Sequence, residues 1–134
     1  MSAVIVGYVP KPEGQAALEA AIVEARHRQV RLIVVNSHRG GRDFTAEDAA
    51  EVETQLAEVE DMLKRSGVKH EMRPLVRGQD PADDLIVVAE ETDAELIVIG
   101  LRRRSPIGKL ILGSNAQRVL LDSSCPVLAV KSDA

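Results

Sequence analysis

Leu96, Ile97, Val98 and Ile99 form a run that is apolar at every position, and similar runs recur at 3–8 (AVIVGY), 30–36 (VRLIVVN) and 127–130 (VLAV). A strand with one face in water alternates apolar and polar residues, whereas a strand without that alternation must be covered on both faces. Between these runs the apolar residues change to helical spacing. They fall at Ala17, Leu18, Ala21, Ile22 and Ala25, then at Ala49, Val52, Leu56, Val59 and Leu63, then at Leu85, Ile86, Val88 and Ala89. A looser alternation at 68–75 (VKHEMRPL) carries Pro74, which suits a sheet edge better than a centre. The chain therefore reads as five strands alternating with four helices. That order predicts an α/β fold: a single-domain, open five-stranded parallel sheet with right-handed crossovers and helices on both faces.

Local signals place the breaks. Val9-Pro10-Lys11-Pro12 forces a turn, and Pro12 sits where a helix begins. Thr45 with Asp48 has capping-box spacing, Ser66-Gly67 reads as a helix end, and Asp80-Pro81 reads as a cap followed by the first helical position. In sheets of this kind ligands bind beyond the carboxyl ends of the strands, where the strand order reverses. If the first and fourth strands flank that reversal, the loops after Tyr8 and Gly100 face each other, with the loop after Asn36 beside them.

Composition narrows the function classes. At 134 residues the chain spans one domain, residues 1–134, with room for a core. One Tyr, one Phe and no Trp make that core aliphatic and argue against stacking on single-stranded nucleic acid. A net charge of −4 gives no general attraction to nucleic acid. No apolar run approaches the length of a membrane span, the N-terminus lacks the charged start of a secretory signal, and a single Cys excludes an internal disulfide. A cytoplasmic protein without a membrane or nucleic-acid partner is expected.

The strongest functional signal lies at 94–131. The apolar run 96–99 ends on Gly100, a basic loop follows, and Gly113-Ser114-Asn115 opens a helical pattern before Cys125-Pro126 and the last run. Of the 17 Lys and Arg, five (Arg102, Arg103, Arg104, Lys109 and Arg118) lie between 101 and 121, a stretch with no Asp or Glu. An acidic chain thus places its acid-free, cationic segment on the loop that feeds a helix N-terminus, with Ser114 as the expected N-cap. Helix starts favour anions, and a glycine there allows close backbone approach, so the segment reads as a phosphate site. A solvated basic loop is the other reading of the same charges.

Several motifs fail. Gly108-Lys109 resembles the end of a Walker A loop, but Arg103 and Leu110 stand where that pattern needs Gly and Ser or Thr. No G-x-G-x-x-G follows the first strand. Val9 and Pro10 supply none of the acids a response-regulator receiver needs. His27, His38 and His70 are scattered over helix, loop and strand, with only His38 on the ligand side, and Cys125 reads as a small buried filler.

The spacing Gly100-x2-Arg103-x9-Gly113-Ser114, with the flanking LILGSNAQRVLLDSSCPVLAVK, resembles the universal stress protein family, whose nucleotide-binding members carry G-x2-G-x9-G-(S/T) after the fourth strand. The resemblance extends over the whole chain in length and element order. It implies a Rossmann-like fold of the adenine nucleotide alpha hydrolase type and a regulatory, stress-response protein that binds an adenine nucleotide, ATP with Mg2+, and is not an efficient enzyme. It implies a phosphate site at Gly100, Arg102, Arg103, Gly108, Gly113, Ser114 and Asn115, and a nucleoside pocket at Val9, Pro10, Val35 and Asn36. It also implies a homodimer through the last strand, Val127–Lys131. Two positions depart from the family pattern. Arg103 replaces the second glycine, where its guanidinium can reach a phosphate bidentately. Val9 or Pro10 stands where the family has an acid at the end of the first strand. The alternatives are a member that works through protein interaction, with Arg103 filling the pocket, and a slow ATPase, for which no residue of the loop offers a positioned general base.

Overall fold

The computed structural model describes residues 2–38, 45–76, 80–102 and 112–132. Their elements are β1 (Ala3–Gly7), α1 (Pro12–Arg28), β2 (Arg31–His38), α2 (Ala46–Ser66), β3 (His70–Val76), α3 (Pro81–Glu91), β4 (Ala94–Leu101), α4 (Ser114–Asp122) and β5 (Val127–Lys131). The strands form one sheet in the order β3-β2-β1-β4-β5, and each neighbouring pair is parallel. The chain winds outward from β1 to β3, then returns to the far side of β1 for β4 and β5. The reversal lies between β1 and β4, so the condition on which the loops after Tyr8 and Gly100 face each other is met.

The pleat divides the core into two layers. Val4 and Val6 of β1, Leu32 and Val34 of β2, and Leu96 and Val98 of β4 face α1 and α2, where Leu18, Ala21 and Leu63 meet them. Ile5, Ile33, Val35, Ile97 and Ile99 face the other way, against Leu85 and Val88 of α3 and Val119 of α4. Registered pairs align these side chains in rows: Ile33 beside Ile5, Ile5 beside Ile97, and Ile97 beside Val127. Both faces of β1 are shut off from water, with Ala3, Val4, Ile5 and Val6 all fully buried. This is why the central runs carry no polar alternation.

The ends of the elements follow local chemistry. Pro12 occupies the first turn of α1, and Thr45 and Asp48 close a reciprocal capping box on α2. Gly67 ends α2 at φ 77°, a left-handed conformation that costs a residue without Cβ little. Asp80 holds the N-cap position of α3, but its carboxylate makes no cap bond and lies 3.7 Å from the Arg118 guanidinium. The expected cap of α4 shifts by one residue. Gly113 is extended and its carbonyl accepts the Gln117 N–H at 3.0 Å, so Gly113 is the N-cap and Ser114 the first helical residue.

Ile5→Ala leaves a cavity between β1, α3 and the flanking isoleucines. We expect it to lower the unfolding free energy by about 3 kcal/mol in urea denaturation, with the slope unchanged.

Candidate functional site

A cavity of about 180 Å3 opens at the carboxyl ends of β1 and β4, on the α3/α4 face of the sheet. Its floor is Gly7, Val35 and Ile99, and Val9 forms part of its rim. The first two turns of three helices complete it, with Glu13 and Gly14 from α1, Pro81, Ala82 and Leu85 from α3, and Asn115, Ala116 and Val119 from α4. In a parallel sheet each helix starts where a strand ends, so the N-termini converge on the crevice at the reversal.

Two glycines permit this convergence. A Cβ on Gly14 would lie 1.8 Å from the Val9 carbonyl oxygen, so only glycine lets α1 start directly over the β1–α1 turn. That turn is tight, with the Lys11 N–H donating to the same Val9 carbonyl at 2.8 Å. A Cβ on Gly100 would lie 2.0 Å from the Glu13 carbonyl oxygen, so Gly100 is what allows the first turn of α1 to rest on the end of β4. Gly113 differs. It has φ −71°, and a Cβ there would meet nothing within 4 Å among the described residues. No described residue demands glycine at 113. A backbone left bare at a helix start suits close approach by something outside the fold.

Among the described residues no side chain caps the start of α4, and its first intrahelical donor is the Gln117 N–H. The amides of Ser114, Asn115 and Ala116 therefore lack intrahelical acceptors. Asn115 and Ala116 line the cavity, so amide donors and the positive end of the helix dipole face its mouth. The deeper walls are aliphatic, with Val35, Leu85 and Ile99 nearly closed to solvent. An apolar slot that leads to an anion-favouring rim can take a flat, uncharged group joined to an anionic one.

The sequence-derived residues divide on this geometry. Val9, Val35, Gly100 and Asn115 line the cavity. Gly113 and Ser114 form the start of α4 beside it. Arg102 is exposed just past the end of β4. Pro10 is exposed and outside the lining. Asn36 is 1% exposed and also outside the lining. Val35 faces the α3/α4 layer, so the pleat turns its neighbour Asn36 toward α1 and α2. Arg103 and Gly108 lie outside the described residues, as do Arg104 and Lys109. His38 is the last residue of β2 rather than part of a loop.

Arg118, one of the five cations of the acid-free segment, is engaged elsewhere. Its guanidinium lies 2.7 Å from Asp83, 3.7 Å from Asp80 and 3.7 Å from Asp122, and it joins α4 to the first turn of α3. Sequence reasoning missed Glu13 and the contribution of α3. A helical wheel assigns Glu13 to a solvated first turn, and only the glycine contacts bring that turn over β4. Tyr8 also contributes to the lining, although it packs with the opposite core layer, where burial, and then the charge of Glu58, holds its hydroxyl above the usual pKa. Among the described residues no group of three His, Cys, Asp or Glu could hold a metal ion, and no helix is long and apolar enough to cross a membrane.

A doubly wound parallel sheet with a helix N-terminus and an apolar slot at its reversal defines a Rossmann-like ligand-binding domain. The family model described as the universal stress protein family matches residues 1–131, and the chain belongs to that family. A universal stress protein of Mycolicibacterium smegmatis is 45% identical over 128 residues, covering 96% of each chain. A universal stress protein structure from Archaeoglobus fulgidus superposes with TM-score 0.86 at 39% identity, over 98% of this chain and 99% of that one. A second one from Archaeoglobus fulgidus, in complex with dAMP, superposes with TM-score 0.80 at 32% identity, over 98% of both chains.

Gly100→Ala forces the Glu13 carbonyl away from β4. We expect a loss of about 2–3 kcal/mol in denaturant unfolding, whereas Gly113→Ala loses under about 1 kcal/mol because its Cβ has room.

Proposed function

We propose that this chain binds an adenine nucleotide, ATP, in the cavity between β1 and β4, and that binding serves a regulatory role in stress response rather than rapid catalysis. The observation that carries this reading is the start of α4 beside the aliphatic slot, which no side chain among the described residues caps and where no described residue crowds Gly113. The dAMP complex of a relative at 32% identity supports the same chemistry.

In this reading the base enters the slot against Val9, Val35 and Leu85. The phosphates meet the amides of Ser114 and Asn115, where the dipole of α4 and direct N–H donation act together. Arg102 supplies charge from the end of β4, and Arg103 and Gly108, outside the described residues, are the further candidates from the sequence. Mg2+ would arrive on the phosphate oxygens and keep most of its own water, so the protein need not supply a ready set of carboxylates. A calorimetric titration with Mg-ATP, on protein first checked for nucleotide carried from the expression host, tests the reading. We expect saturable one-site binding, and Gly113→Ala should weaken it about tenfold at little cost in stability, because its Cβ holds the phosphate off the Ser114 and Asn115 amides and stretches a charge-assisted contact. No heat and no carried nucleotide would remove ATP from the account.

We further propose that two copies pair through β5. This strand has β4 on one side only, and Leu128 on it and Leu120 and Leu121 in the last turns of α4 are exposed, Leu121 by 82%. An apolar edge strand invites a second strand unless something covers it. Leu128→Arg is expected to shift the light-scattering mass from dimer to monomer while the far-ultraviolet circular dichroism stays the same. A monomeric parent protein would end the proposal.

A further inference from the structure

Among the described residues lining the cavity, Glu13 is the one charged residue. Its place is set by packing and not by a partner. The first turn of α1 lies on the end of β4, so a Cβ on Gly100 would lie 2.0 Å from the Glu13 carbonyl oxygen and 3.1 Å from the Glu13 Cβ. The residue is half-buried, and no ion pair or hydrogen bond from the described residues holds its carboxylate. An ionised carboxylate only accepts hydrogen bonds, and one at the edge of a cavity needs donors from an occupant that displaces its water. An adenine nucleotide offers such donors at its ribose hydroxyls. With a base in the slot against Val35 and Leu85, and phosphates at the start of α4, the ribose falls between them. That is the level of Gly100, where Glu13 sits.

We infer that Glu13 accepts hydrogen bonds from the ribose hydroxyls and thereby selects ribonucleotides over analogues that lack them, an assignment that rests on the adenine-nucleotide reading. It makes the first turn of α1 the sugar-reading element of the site. The acceptor for the sugar then comes from the helix after β1, not from the end of β1 itself, where Val9 and Pro10 have nothing to offer.

The test is calorimetric titration of the parent chain, Glu13→Ala and Glu13→Gln with Mg-ATP and with Mg-2′,3′-dideoxy-ATP. The parent is expected to prefer ATP about tenfold, the worth of a hydrogen bond to a charged group. Glu13→Ala should bind ATP about tenfold more weakly and leave the dideoxy affinity unchanged, and Glu13→Gln should fall between them. Thermal melting of both variants should stay close to the parent, since the side chain has no partner among the described residues and only a first-turn charge is lost. Equal weakening of both nucleotides, or no weakening of either, overturns the assignment while leaving nucleotide binding intact. So does an effect of Glu13→Gln that disappears when Mg2+ is omitted, because the carboxylate would then be holding the metal. A parent chain that binds neither nucleotide overturns the nucleotide reading, and this assignment with it.

Discussion

The first turn of α1 rests directly on the last residues of β4, and the site depends on that contact. Backbone meets backbone there, with the Glu13 carbonyl where a side chain on Gly100 would otherwise be. The approach joins the two strands on either side of the reversal, since α1 follows β1 and Gly100 ends the apolar run of β4. It closes one wall of the cavity and sets the height of α1 over the sheet. Gly14 makes the companion approach possible against the Val9 carbonyl. A helix seated this low buries Ala17, Leu18 and Ala21 against the sheet, and small residues are what such close packing requires.

This contact gives the glycines of the β4–α4 segment different jobs. Gly100 serves the fold, because any Cβ there collides with α1. Gly113 answers to no neighbour among the described residues and stands at an uncapped helix start. A shared motif can thus hold one glycine for packing and another for a ligand, and the distinction lies in what a Cβ would touch.

Charge tells a similar story of redistribution in space. Along the chain, 101–121 is an unbroken cationic stretch. In the folded protein one turn of α4 carries Arg118 to the aspartates of α3, where it ties two walls of the cavity together instead of facing its mouth. Its pairs are part-exposed, and such contacts contribute modestly to stability. Their effect on the site is to remove a positive charge that the linear count had assigned to it. Meanwhile α1 contributes a carboxylate that the count left out.

The strand order that puts the reversal between β1 and β4 came from the structure, whereas the sequence alone determined the alternation of strands and helices, the burial of the central strands on both faces and, to within a residue, the start of α4. These follow from periodicities and turn residues within single segments, and hydrogen-bond geometry and burial translate such patterns into structure almost locally. Small errors remained even there: β2 runs to His38 and the α4 cap is Gly113, because strand pairing and helix hydrogen bonds set the ends and side-chain preference only inclines them. Only the tertiary structure decided which of Val35 and Asn36 faces the cavity, that Pro10 stays outside it, that Arg118 is spent on aspartates and that Glu13 comes in. Each of those depends on the pleat, the register and the helix heights of segments far apart in the chain, and no window of sequence contains them.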